Sequence, residues 1–250
     1  RIGVSAHHPP LASGLHASIE PARILPECER DRVILVGNLP AAEDVLPSDL
    51  HALVPSIHAA ATEFLDGPAD GTADELSRSV ARDSDQRERI ARAIEFAATR
   101  LERLRVAITL AEAKVPLRVH GCARWQQALA GTAAEGLWCG ALDDRALSAA
   151  AFRNAAAVIN VVSRNGRDGV NMRVFDVAAC GGVLVSNDTP GLRRSFVVGR
   201  EVLAFSGVSE LPELLRPLLD DPSRRAAIRA AAEARARRDH TWEARWQRVF

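Results

Sequence analysis

Two aspartates eight positions apart, Asp168 and Asp176, flank a stretch that carries Gly169, Val170, Asn171 and Arg173 and ends at the pair Gly181-Gly182. The stretch opens as a loop, continues with helical spacing and stops at glycine. A helix amino terminus exposes unpaired N–H groups and a partial positive charge, which suit phosphate, and carboxylates nearby suit sugar hydroxyls. A sugar nucleotide offers both groups. On one continuous helix the two acids would stand about 12 Å apart along the axis. A helix beginning near Asn171 changes that, because Asp176 then falls in its second turn and residues 163–170 can fold back. Gly166 and Gly169 permit the bend that brings Asp168 over the helix end.

Each of these residues also has a plainer reading. Asp168 serves equally as a helix cap or loop residue, and Asp176, three positions after Arg173, as half of a surface ion pair. Arg173 in a first helical turn is opposed by the helix dipole, so its position there points to an anion. Gly181-Gly182 reads as a left-handed helix cap. Gly37 either lets a phosphate or sugar approach the backbone or simply allows a turn. His120 and His240 lie near a strand end and a helix start, where lone histidines are usually structural. Trp125 and Trp138 read as core before they read as platforms for a base.

The elements that must position these groups alternate. Val33-Ile34-Leu35-Val36 is a buried strand ending at Gly37-Asn38, and Leu117-Arg118-Val119-His120-Gly121 is a second. Residues 136–140 read as a short strand, residues 157–162 as the strongest strand in the chain, and residues 183–186 and 202–205 as two more. Helical spacing occupies 48–65, 84–113 (one helix or two), 125–130, 143–154 and the stretch from Asn171, with further helices from about Val208, Pro222 and His240. Residues 187–191 read as a turn. Such alternation predicts an α/β fold, a Rossmann-like, mostly parallel sheet with helices on both faces, which binds ligands outside the carboxyl ends of its strands. Residues 163–173 lie at such an end. Residues 1–31, rich in proline and without periodicity, read as a linker or the tail of an upstream region, and residues 32–250 as one domain.

Composition bounds the function classes. With 250 residues, 47% apolar and 26% charged, the chain can bury a sizeable core. Its formal net charge is zero, so no global field recruits nucleic acid, and the arginine-rich residues 224–248 read as a solvated helical face. The four cysteines, Cys28, Cys122, Cys139 and Cys180, lack paired metal-ligand spacing and suit a reducing, cytoplasmic setting. No apolar run approaches the roughly 18 residues needed to span a membrane; peripheral membrane contact stays open. Lys114 is the only lysine, and the chain opens on Arg1, so a start inside a longer protein is expected.

Residues 154–250 closely resemble the C-terminal domain of group 1 glycosyltransferases, in particular the spore-maturation-protein-like branch. The resemblance is carried by Asn154-Ala155-Ala156-Ala157-Val158-Ile159-Asn160, by Gly169-Val170-Asn171-Met172-Arg173-Val174-Phe175-Asp176, by Ala179-Cys180-Gly181-Gly182, and by His240-Thr241-Trp242 with Arg245. Residues 32–153 fit the preceding half of that domain more loosely, through Val36-Gly37 and His120-Gly121.

The resemblance implies a GT-B architecture, of which this chain looks like the C-terminal half. It implies a hexosyltransferase-like enzyme that takes a UDP-, GDP- or ADP-sugar donor and an unspecified acceptor, with retention and without a metal or other cofactor. Many relatives carry two glutamates at the spacing that Asp168 and Asp176 occupy. Asp176 would then hold the nucleotide ribose and Asp168 the donor sugar hydroxyls. The donor would lie against Gly37, Gly121, Gly169, Val170 and Asn171. Departure of the nucleoside diphosphate would be eased by the N–H groups of residues 169–171 and by Arg173, with Arg164 or Arg167 as further cations. Two other readings compete: a non-catalytic nucleotide-binding or protein-interaction module of the same fold, and a dinucleotide-dependent oxidoreductase. The oxidoreductase lacks its Gly-x-Gly-x-x-Gly signature after the first strand.

Overall fold

Five short apolar runs pair into one all-parallel sheet in the order β2-β1-β3-β4-β5. They are β1 (Val33–Val36), β2 (Leu117–His120), β3 (Ala157–Asn160), β4 (Leu184–Asn187) and β5 (Leu203–Phe205). The structure, a computed structural model, describes residues 31–67, 71–163 and 168–247. Residues 1–30 of the expected linker, and Arg164, Gly166 and Arg167, lie outside the described residues.

Helices fill the connections. Between β1 and β2 come α1 (Val54–Asp66), α2 (Ala73–Val80) and α3 (Ser84–Glu112); between β2 and β3, α4 (Arg124–Leu129) and α5 (Arg145–Asn154). Then follow α6 (Met172–Ala179), α7 (Pro190–Ser195) after β4, and α8 (Leu211–Asp220), α9 (Pro222–Asp239) and α10 (Trp242–Trp246) after β5. Successive strand residues face opposite sides of the sheet. Val33, Leu35, Ile159 and Val185 pack with Val106 and Leu110 of α3, Trp125 of α4 and Leu215 of α8. Ile34, Val36, Val158 and Leu184 pack with Phe152 of α5, Phe175 of α6 and Ala232 of α9. The expected α/β sheet with both faces covered is therefore present.

Several local expectations change. Residues 136–140 form no strand but a single bridge from Trp138 to Val119. Gly136 and Gly140 on either side are left-handed, at φ 79° and 86°, so extended backbone lasts only three residues. Residues 84–113 make one helix, since neither glycine nor proline interrupts them. The turn at 187–191 goes on into α7, with Thr189 capping Leu192 N–H at 3.1 Å and Pro190 in the first turn. The cap at Gly181 is as expected: φ is 70°, and Gly182 N–H reaches the Val177 carbonyl at 2.9 Å.

An unforeseen helical lobe sits between β1 and β2. Ile57, Ala61 and Phe64 of α1 close on Ile90, Ile94 and Ala97 of α3 as a core separate from the two sheet cores. Its helix α2 opens with a capping box, Thr72 Oγ1 accepting from Glu75 N–H at 3.2 Å while Glu75 accepts from Thr72 N–H at 3.0 Å. A 29-residue helix is about 43 Å long and a four-residue strand about 13 Å. α3 runs back to the start of β2 and meets the carboxyl ends of the strands near Thr99 and Arg103. Its first half, with the lobe, therefore projects past the ligand edge of the sheet.

The terminal residues His240 and Arg245 form a clasp. The His240 ring lies between Phe175 of α6 and Phe196, each centroid 4.9 Å away. Its Nδ1 receives a hydrogen bond from Arg245 Nη2 at 3.0 Å, and a guanidinium can only donate, so the ring proton is on Nε2 and donates to the Ser195 carbonyl at 2.8 Å. Arg245 also stacks on Phe175 at 4.7 Å. Burial pushes the His240 pKa down to about 4, with Arg245 and Arg235 acting in the same direction. The imidazole is thus neutral in the fold, and the role is structural.

Because the folded pKa lies below the unfolded value of about 6.5, His240 contributes stability that is complete above pH 6.5 and is lost as pH falls toward 4. The loss should be roughly 3 kcal/mol. Chemical denaturation across this window is expected to show it, and His240→Asn should flatten that part of the profile.

Candidate functional site

In a sheet of order 2-1-3-4-5 the chain leaves β1 in one direction and β3 in the other, opening a crevice between their carboxyl ends. A cavity of about 530 Å³ lies there. Its walls are Val36, Gly37 and Asn38 after β1, His120 and Gly121 after β2, the approach to α5 from Ala141 to Arg145, and Asn171, Met172, Arg173 and Asp176 at the start of α6. Six of the residues singled out in the sequence therefore meet in one cavity: Gly37, His120, Gly121, Asn171, Arg173 and Asp176.

The floor is organised by Asn160, the last residue of β3, whose side chain is fully buried. Its Oδ1 accepts from Asn171 Nδ2 at 3.0 Å and from Arg173 Nη1 at 3.1 Å. Its Nδ2 donates to Asn171 Oδ1 and to Ser186 Oγ, both at 3.1 Å. An amide has two donor and two acceptor positions, and all four are used. Arg173 can only donate, which fixes Oδ1 toward it. Asn171 is the N-cap of α6 but makes no side-chain capping bond, because its amide is committed to Asn160. The positive end of α6 is thus turned to the cavity without a side-chain cap. Arg173 is desolvated, which lowers its pKa, while Asp176 one turn away opposes that shift.

The two strand-end glycines are in contact. A Cβ on Gly121 would stand 2.1 Å from the Gly37 carbonyl oxygen, and Gly37 N–H bonds the His120 carbonyl at 2.9 Å. Trp125 Nε1 donates to the Gly37 carbonyl at 2.7 Å and Trp138 Nε1 to the Gly121 carbonyl at 3.0 Å. Both tryptophans thus serve the scaffold, tying down the loops that line the cavity.

Asp168, Gly169 and Val170 do not line the cavity. The Asp168 carbonyl accepts from Arg194 Nη2 at 2.8 Å and the Gly169 carbonyl from Thr189 Oγ1 at 3.0 Å. A Cβ on Gly191 would meet the Asp168 carbonyl oxygen at 2.8 Å, so this loop lies directly on the first turn of α7. Val170 is partly buried against the core and Asp168 is exposed. Sequence reading assigned no role to Asn160, Ser186 or Arg103. An asparagine closing a strongly apolar strand was the signal available for Asn160; nothing marked Arg103 within α3. Among the described residues no group of three or more His, Cys, Asp or Glu side chains is gathered to hold a metal ion, and no helix is long and apolar enough to cross a membrane.

Fold and crevice together define a doubly wound α/β domain with a cavity at the ligand edge of its sheet. Residues 99–250 match the family described as glycosyl transferase-like, and the chain belongs to that family. The match opens on α3 and leaves out β1 and α1–α2. No match was found among curated proteins. Among solved structures the chain is similar to sucrose-phosphate synthase from Thermosynechococcus elongatus, at 14% identity and a TM-score of 0.47, over 87% of this chain and 56% of that one. It thus spans little more than half the length of that protein.

Gly121→Ala is expected to lower the unfolding free energy by about 2 kcal/mol or more, since backbone must move to admit the methyl group. Gly131→Ala, left-handed at φ 71° with open space around it, should lose only about 1 kcal/mol. Urea midpoints of the two variants check the difference.

Proposed function

We propose that this chain is the donor-binding half of a GT-B glycosyltransferase, of the spore-maturation-protein-like branch, which transfers a hexose-like unit from a nucleotide-sugar to an acceptor. The observation that carries the reading is the meeting of Asn171, Arg173 and Asp176 with Gly37 and Gly121 in one cavity at the switch point of the sheet. A nucleoside diphosphate fits a cavity of this size. Its ribose hydroxyls donate to Asp176, and its phosphates lie on the open start of α6 beside Arg173.

Chemistry follows from the charge. Breaking the bond between the anomeric carbon and the diphosphate oxygen leaves negative charge on the phosphates. Arg173, held by Asn160, and the first N–H groups of α6 are already oriented toward that charge. The sugar extends beyond the start of α6, and Asp168, exposed and outside the cavity, is the acid assigned to its hydroxyls. Transfer with retention and without a metal, by a cytoplasmic protein in peripheral contact with a membrane or in solution, completes the proposal. Exposure of Asp168 outside the cavity favours a second reading, a nucleotide-binding module that performs no transfer.

Calorimetric titration with UDP, GDP and ADP tests the donor site. One of them should bind saturably, and Asp176→Ala should weaken it by about tenfold or more, the loss of a charged hydrogen bond. Asp168→Ala should leave the nucleoside diphosphate unaffected and weaken only the corresponding nucleotide-sugar. Binding by none of the three would refute the donor site; indifference of the nucleotide-sugar to Asp168→Ala would favour the module.

A further inference from the structure

Arg103 is a buried cation that the donor site, as described, does not use. It rises from α3, beyond the part of that helix that packs in the lobe, and is only 8% exposed. Its Nη1 donates to the Asn38 carbonyl after β1, and its Nη2 donates to the Val161 carbonyl after β3 at 3.0 Å. One guanidinium therefore spans both walls of the crevice. Its Nε–H is buried and meets no acceptor among the described residues. Gly37 leaves room for it: a Cβ there would stand 3.2 Å from Arg103 Cζ.

The charge balance around this group is unusual. Burial is the main influence on it, and the next is a second cation, Arg173, with Glu102 acting more weakly in the opposite sense. Glu102 itself accepts a hydrogen bond from Asn187 Nδ2 at 2.8 Å. No ion pair joins Arg103 to a carboxylate among the described residues. Burying a cation without an acid is costly, and placing a second desolvated cation near it adds to the cost. Both stand at the ligand edge of the sheet, beside the positive end of α6. Carbonyl oxygens at strand ends would otherwise face an incoming anion and repel it; Arg103 occupies two of them.

We infer that Arg103 is a positioning residue for the diphosphate of the donor. It draws the Asn38 and Val161 carbonyls back from the phosphates and sets a fixed positive charge behind Gly37, so that the negative charge of the ligand adds to that of Glu102 and Asp176 beside the two guanidinium groups. This rests on the donor reading above and names a group that reading did not contain.

The test compares Arg103→Gln, which keeps a donor but removes the charge, with Arg103→Lys, which keeps the charge. Affinities are measured for whichever of UDP, GDP and ADP the native chain binds, and for the matching nucleoside. Arg103→Gln should weaken the nucleoside diphosphate by about tenfold or more while the nucleoside changes by less than about threefold. Arg103→Lys should keep most of the preference for the diphosphate. In the native chain the Arg103 Nε–H resonance should move on adding the nucleoside diphosphate and stay in place with the nucleoside, a readout that needs no variant to fold. A purely structural crosspiece would show both variants losing nucleoside and diphosphate in parallel, and that result overturns the inference. So does a stationary Nε–H signal at saturation. If the native chain binds none of the three diphosphates, the donor reading fails first and this inference with it.

Discussion

The carboxyl end of β3 carries a buried amide whose four hydrogen-bonding positions are all occupied, and the candidate site is arranged around it. An unpaired polar group at this depth would be costly, so Asn160 allows little freedom to its partners. It holds Asn171 at the start of α6, orients Arg173, and ties β3 to Ser186 of β4. Taking the Asn171 side chain into this network withholds it from capping α6. One interaction thus fixes where the helix begins and leaves its positive end turned to the cavity.

The surroundings support that arrangement from two sides. Behind it, the His240 clasp grips Phe175 on α6 and the Ser195 carbonyl at the end of α7, and α7 in turn carries the loop at Asp168 and Gly169. In front of it, Arg103 bridges the ends of β1 and β3. Thr99 Oγ1 lies 3.3 Å from Ser163 Oγ, at the root of the same loop. The lobe built on α1, α2 and the first half of α3 therefore sits beside the ligand edge of the sheet. Its residues, like β1, precede the stretch that matches the glycosyl transferase-like family.

What could be read from the sequence was mostly local. β-Branched runs such as Val33-Ile34-Leu35-Val36 and Ala157-Val158-Ile159 announce buried strands, and the glycine pair after Cys180 announces a helix end, because neighbours in the chain decide both. The start of α6 at Asn171 and the place of Asp176 in its second turn were legible for the same reason. Helix α2 was hidden because its polar composition masks a Thr72-Glu75 capping box that a closer reading of spacing would have found. Arg103 was illegible, since its meaning lies in carbonyls 58 and 65 positions away. The loop at Asp168 illustrates the same limit: its backbone is held by α7, a helix the sequence showed only as a turn.

The account stands on the claim that the crevice between β1 and β3 receives a diphosphate at the start of α6. Backbone hydrogen exchange, with and without saturating nucleoside diphosphate, tests this most directly. Slowed exchange should concentrate at Gly37, Asn38, Gly121 and the amides of Met172 and Arg173, with no change in the groove between α1 and α3 at His58 and Arg100. Protection confined to the lobe, or unchanged exchange at Met172 and Arg173 under saturation, would contradict it.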